Sequence, residues 1–277
     1  MNDFRKLHLR ENDFHPDKAS SCELLIKLSF NRLSYSIINT LDKQIYVLYD
    51  SILLNPLTDL LEELFKDLDY FSFTYKDIKI SIETFDFTFI PEAVYTRSSL
   101  DLYLNSISVG KGAEPFITSM KSAGSRNIFA ADQAMISPLT GIFPAAKIYT
   151  QAEPLIEGAL NLYGGAETLF LQFNSKTFEA LVLSADGLVY YNIFSIDTVD
   201  DFNYFLLFVM QEMELNSTNI KVIVAGLIDV ESDYYKRMER YFQDITFADT
   251  PAFRLSAIYD KVSVSQFFSL FSLSLCE

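Results

Sequence analysis

Residues able to do chemistry are scarce in this sequence. Its two histidines, His8 and His15, lie in a polar N-terminal stretch, and none follows. A Ser-His-Asp, Cys-His, zinc-hydrolase or two-His iron site would have to borrow that stretch, which argues against all four. Cys22 and Cys276 stand near opposite ends, lack metal-ligand spacing and cannot build a disulfide framework, so reduced, inert thiols are expected. What remains is polar turn chemistry. Asn31-Arg32 and Asn174-Ser175-Lys176 separate strand-like runs; Arg32 and Lys176 could bind an anion, although Asn and Ser favour such turns for local hydrogen bonding alone. Asp132-Gln133 follow another run, where Asp132 reads first as a helix N-cap. Gly110-Lys111-Gly112 lacks the spacing of a Walker loop and reads as a surface loop. Asp197, Asp200 and Asp201 read as helix-start charge.

The elements that must position these residues follow from the apolar pattern. Hydrophobic residues make up 49% of the 277 and charged residues 21%, enough for a true core. Residues 1–20 are polar and aperiodic, an expected arm. Three strand-like runs follow at 22–30, 33–40 and 44–52. Next comes a helix opened by Asn55-Pro56, with Leu57, Leu60, Leu61, Leu64, Phe65 and Leu68 on one face. The same order recurs at 168–174, 178–184 and 187–196, with an Asp186-Gly187 turn and a capping box before an apolar helix from Phe202. At a common offset, Leu28, Phe30, Asn31, Tyr35 and Ile38 fall on Leu171, Phe173, Asn174, Phe178 and Leu181. The tails also match: 127–131, a helix, then 146–149 and Pro154 resemble 219–225, a helix, then 245–247 and Pro251. An internal duplication is the reading, with an extra piece at about 71–126 in the first half. Gly164-Gly165 marks the joint, and Phe267–Leu275 is expected to complete the second unit's core.

Two copies of a β-β-β-α-β-α-β-α unit make an α/β fold that resembles the duplicated ribonuclease H-like units of the actin, sugar kinase and Hsp70 superfamily. The chain is similar to a bacterial family of unknown function with an actin-like ATPase fold, itself distantly similar to pilus-assembly and secretion scaffolds. The residues carrying this resemblance are Leu28–Asn31 and Leu171–Asn174, Phe89-Ile90-Pro91-Glu92 through Tyr95, and Phe143-Pro144 through Tyr149 with Pro154-Leu155. The resemblance implies two mixed five-stranded sheets flanked by helices, with units at 21–164 and 165–277. It also implies a cleft between them faced by Asn31, Arg32, Asn174, Ser175 and Lys176. Asp132-Gln133 would stand where such enzymes orient a water, and Gly226 in the adenosine-binding turn.

Active relatives of that superfamily hold ATP on two Asp-x-Gly phosphate loops, whose glycines let backbone N–H groups approach and whose aspartates hold a metal's water shell. Here the first turn reads Phe30-Asn31-Arg32-Leu33 and the second Phe173-Asn174-Ser175-Lys176-Thr177, with neither aspartate nor glycine. ATP with magnesium is therefore disfavoured as a cofactor, and no metal site is expected. The net charge of −15 disfavours nucleic acid. The start carries no apolar signal core, and the longest apolar stretches fall short of the ~20 residues a membrane span needs. The expectation is a non-catalytic, cytoplasmic actin-like scaffold or adaptor that binds other proteins. The alternative is an enzyme or sensor holding a nucleotide or small anion through Arg32, Lys176 and the Gly226 turn.

Overall fold

The computed structural model describes residues 6–54, 56–67, 70–107, 113–251 and 253–277; Asn55 and Gly110-Lys111-Gly112 lie outside these. In the first half the elements are β1 (Lys6–Arg10), β2 (Cys22–Ser29), β3 (Arg32–Asn39), β4 (Ile45–Ile52), α1 (Leu57–Asp67), β5 (Asp77–Ile82), β6 (Phe87–Pro91), α2 (Leu100–Leu104), β7 (Ala113–Met120), β8 (Ser125–Asp132), α3 (Gln133–Ile142), β9 (Lys147–Thr150) and α4 (Ala152–Tyr163). The second half has β10 (Thr168–Phe173), β11 (Thr177–Ser184), β12 (Gly187–Ser195), α5 (Val199–Glu212), β13 (Lys221–Gly226), α6 (Asp233–Met238), β14 (Ile245–Phe247) and α7 (Phe268–Ser272). One large sheet runs β1-β4-β3-β2-β5-β9 and the other β12-β11-β10-β13-β14, with β6-β8-β7 a small third sheet. In both large sheets the three-strand meander is antiparallel and the next two strands join in parallel.

The central strands are continuous apolar runs because both of their faces are covered. Leu24, Ile26 and Leu28 pack with Leu61 and Leu64 of α1 and Ile136 and Leu139 of α3, while Leu25 on the opposite face meets Leu270, Phe271 and Leu273. In the second sheet Leu169, Leu171 and Phe173 face Phe202, Leu206 and Val209 of α5, while Phe170 packs under Ala152, Leu155, Ile156 and Ala159 of α4. The halves thus exchange covers: α4 seals the second sheet, and the C-terminal segment seals the first. Burying each of Phe268 and Phe271, both fully enclosed, is worth about 2–3 kcal/mol. The exchange needs α4 and α7 in close contact, and Gly158 permits it. A Cβ there would stand 2.1 Å from Ser272 Oγ and 2.9 Å from Phe268 Cζ.

Four expectations are corrected. Within the expected arm 1–20, residues Lys6–Arg10 form a sixth strand on the first sheet, because Leu7 and Leu9 find the apolar cluster beneath it. The strand matching β13 is β5, inside the expected extra piece, whereas 125–132 belongs to the small sheet. Leu28 pairs with Leu33 and Ile82 as Phe173 pairs with Phe178 and Gly226, so Leu28 matches Phe173 rather than Leu171. A two-residue slip leaves inward and outward faces unchanged, so hydrophobic alternation could not reject it. Finally, Phe267–Leu275 seals chiefly the first sheet, while Phe268 joins the apolar cluster of the second. Among the described residues no helix is long and apolar enough to cross a membrane. Both cysteines are free and buried.

Candidate functional site

The β2–β3 turn is a two-residue turn, with Ser29 paired to Arg32, while β10 and β11 are joined by Asn174-Ser175-Lys176, closed by Asn174 N–H to Thr177 O at 2.9 Å. These turns and the C-terminal segment enclose a cavity of about 30 Å³, room for about two waters. Its walls mix polar groups with Phe173, Leu227, Phe267 and Leu270. Lys27 Nζ donates to Asn174 Oδ1 at 3.1 Å and to Ser269 Oγ at 2.7 Å, so one ammonium ties both sheets to the C-terminal segment. Arg32 forms a buried ion pair with Asp50, which also accepts from Ser34 Oγ at 2.7 Å. Burial pushes the Asp50 carboxyl above its ordinary range, against the pull of Arg32. Arg32 Nε and Gln172 Oε1 have no protein partner, and both residues line the cavity, which has room for water to satisfy them.

Behind Asn174 lies a fully buried carboxylate. Glu179 accepts from Asn174 Nδ2 at 3.1 Å and from Tyr191 Oη at 2.7 Å. Desolvation raises its pKa from 4.5 to about 7, with Lys27 pulling the other way. Gln151 donates to Tyr191 Oη at 3.3 Å and closes a two-bond ring with the Thr84 backbone, at 3.0 Å each way. Thr177 donates to Glu83, which binds the second sheet's tip to the end of β5. The network therefore joins groups from β2, the β10–β11 turn, β11, β12, the N-cap of α4 and α7.

Outside the cavity, two exposed rings stand between two grooves. Phe30, in the β2–β3 turn, and Phe85, after β5, stack at 5.6 Å and are 53% and 47% exposed. Grooves of about 350 and 340 Å³ flank the pair. Asn31, Ser175 and Lys176 line the first, and Asp86, Asp132 and Met135 the second.

The expected site residues thus divide. Asn174 is central, and Arg32 lines the cavity but is held by Asp50. Asn31, Ser175 and Lys176 share the outer groove; the Asn31 carbonyl accepts from Leu53 N at 2.8 Å. Asp132 caps α3, accepting from Ala134 N at 2.9 Å, and Gln133 donates to exposed Glu114. Gly226 has φ +86°, and a Cβ there would lie 2.0 Å from Phe173 O, so it serves the packing of β13 on β10. Sequence reasoning missed Lys27 and Glu179, which carry the network, and Asp50 and Gln172, which line the cavity beside it. Their signal was present: each is a polar residue inside an otherwise apolar strand, where burial requires a partner. Among the described residues no group of three or more His, Cys, Asp or Glu could hold a metal ion.

The model of a protein family of unknown function, DUF3822, matches residues 11–245. The chain belongs to this family. A solved structure from Bacteroides thetaiotaomicron VPI-5482, a protein with actin-like ATPase fold and unknown function, matches the DUF3822 chain with a TM-score of 0.78. The two are 20% identical, and the match covers 95% of this chain and 99% of that one. A PilM–PilN type IV pilus biogenesis complex matches with a TM-score of 0.57 at 9% identity, covering 91% of this chain and 97% of that one. No curated protein matches by sequence. At these identities the likeness speaks to fold, and this DUF3822 protein has the actin-like ATPase fold, with mixed sheets flanked by helices.

Proposed function

We propose that the protein is a non-catalytic, cytoplasmic scaffold or adaptor that keeps the duplicated actin-like frame and uses it to bind other proteins. One observation carries this reading: the Lys27 ammonium, on the β2 strand that leads into the first turn, is bound to Asn174 of the second turn and to Ser269 of α7, beside the turns where the superfamily holds phosphates. The second cation of the cavity, Arg32, is neutralised by Asp50. A polyanion entering here would have to break both arrangements, and neither turn offers a glycine backbone in exchange. The stacked Phe30–Phe85 pair between the outer grooves supports protein binding, since exposed aromatic rings beside a groove favour partner contact. One protein of this fold is known in a complex, that of PilM with PilN, which accords with a binding role. Buried free thiols at Cys22 and Cys276 accord with a reducing compartment.

Calorimetric titration with ATP and ADP, each with and without magnesium, tests the reading. The expected outcome is no heat and no change in melting temperature. A nucleotide at a hundred times its Kd would add about 2.7 kcal/mol of stability, which a melting curve detects. Micromolar binding, with hydrolysis that depends on a cleft residue, would overturn the scaffold reading in favour of a nucleotide-using enzyme or sensor.

A further inference from the structure

A sheet edge presents unpaired backbone groups, and proteins cover or guard such edges. The two large sheets treat the same edge differently. In the first, β1 pairs with β4 over Val47–Ser51. The Glu11 N–H reaches the Tyr46 carbonyl at 2.8 Å, the Phe14 ring stacks on Tyr46 at 5.3 Å, and Lys6 Nζ binds Glu63 of α1 at 2.7 Å. In the second sheet β12 is the outermost strand, and among the described residues no strand pairs with its outer side. The meanders carry a bulge at the same place, between Ile37 and Ile38 in one and between Val182 and Leu183 in the other. The residue it leaves unpaired is Tyr46, buried, in the first sheet and Val189, 54% exposed, in the second. Tyr190–Phe194 then correspond to the covered stretch Val47–Ser51. Within them the Ile193 N–H takes the side-chain oxygen of adjacent Asn192 at 2.9 Å, the contact of an amide outside the ladder.

None of the usual guards stands on this edge beyond the bulge itself. The strand GLVYYNIFS holds no proline and no charge. The neighbouring helix differs from its counterpart in the same sense. Buried Leu61 and Leu64 of α1 match buried Leu206 and Val209 of α5, so Asp59, Glu62 and Glu63 match Tyr204, Leu207 and Phe208. Of the acids of α1, Glu63 binds Lys6 of β1; the three residues of α5 are exposed and apolar. A basic strand would meet no acid at these positions. The fitting occupant offers an uncharged strand edge with apolar side chains beside it, and the chain itself carries that set in β12 and α5.

We infer that β12 is a homodimer interface. Two copies pair their β12 strands antiparallel about a two-fold axis, joining two five-stranded sheets into one, with Tyr204, Leu207 and Phe208 of each copy packed across the axis. The patch is self-complementary, as two-fold symmetry requires. Neither β12 nor these three α5 residues carries a charge, although the Glu212 carboxylate at the end of α5 acts on Tyr190 of the strand. The inference is independent of what the cleft binds.

Sedimentation of the full chain between about 1 and 200 µM tests it, a range that brackets micromolar association. The expected result is a concentration-dependent dimer, weakened at least about tenfold by Phe208→Glu or Tyr204→Glu. Leu41→Glu, at an exposed turn of the first half, leaves it unchanged. Both interface side chains are exposed, so the variants fold, which circular dichroism verifies. In the unmodified chain, exchange of the Ile193 amide slows as concentration rises. A monomer throughout would overturn the inference and leave the edge to a strand from a different protein. A dimer insensitive to both variants, with Ile193 exchange independent of concentration, would overturn it equally.

Discussion

The tips of the two large sheets place different residues at the same three positions. The first sheet has Arg32, Ser34 and Asp50; the second has Thr177, Glu179 and Ile193. In the first, the carboxylate finds its cation and its hydroxyl within its own sheet, and the charge is closed locally. In the second, the carboxylate has no cation on its own sheet. It leans on Asn174 and Tyr191, and the cation acting on it is Lys27 of the other sheet. One tip is self-sufficient and the other is completed by its neighbour. The difference teaches how two similar sheets are tied together: the asymmetry of one buried charge makes the second tip depend on the first.

The comparison can be broken most forcefully at Arg32. Arg32→Leu leaves Asp50 buried without its cation, and the expected cost is about 3–5 kcal/mol in chemical denaturation. The double change of Arg32 and Asp50 to Leu recovers most of that loss, because the pair is local. A double variant no better than the single would show that Arg32 serves something beyond Asp50.

At the second tip the prediction is a pH dependence. Glu179 in the folded state has a pKa of about 7 against 4.5 ordinarily. Between those values the folded protein holds a proton that the unfolded chain has released, so stability is greatest below pH 4.5 and falls as pH rises through 7. Asp50, Glu153 and Glu157 are also raised by burial and act with the same sign. His8, lowered by burial, acts with the opposite sign. Melting temperature should therefore fall between pH 5 and 8 by an amount that Glu179→Gln reduces, whereas the Arg32 and Asp50 double variant keeps the Glu179 share. An unchanged pH slope in Glu179→Gln would place the titration elsewhere.

The smallest effect belongs to the covered edge. Lys6→Ala removes an exposed ion pair with Glu63 and should cost no more than about 0.5 kcal/mol, a loss erased by high salt. A larger, salt-independent loss would mean that β1 holds the first sheet together rather than covering its edge.

Much of the frame could be read along the chain. The two meanders, the helices after them, the Asp132 cap and the capping box at Thr198 are local events, governed by side-chain period and by hydrogen bonds within four residues. The site was less legible. Turn residues such as Asn31 and Lys176 drew attention because they are polar where the chain reverses, yet they lie at the rim. The network runs through Lys27 and Glu179: Lys27 finds its partners at Asn174 and Ser269, far away in the sequence, and through Asn174 meets the Glu179 carboxylate. Burial turns such residues from surface decoration into obligatory partners, and burial is not a local property.

By itself the sequence determined what each segment could be: which runs alternate, which helix has one apolar face, which turns lack the glycine and aspartate that phosphates need. These follow from the chemistry of neighbouring side chains and from the two periods, 2.0 and 3.6, that the backbone allows. Only the tertiary structure decided which segments meet. That β5 rather than β8 is the fourth strand of the first sheet, that α4 and the C-terminal segment exchange sheets, and that Lys27 reaches Asn174 all depend on strand pairing and close packing between distant residues. A register can slip by two residues without changing the apolar pattern, and a helix can seal either of two sheets. Competing arrangements of this kind differ in cavities, unpaired charges and clashes, which exist only once the chain is assembled.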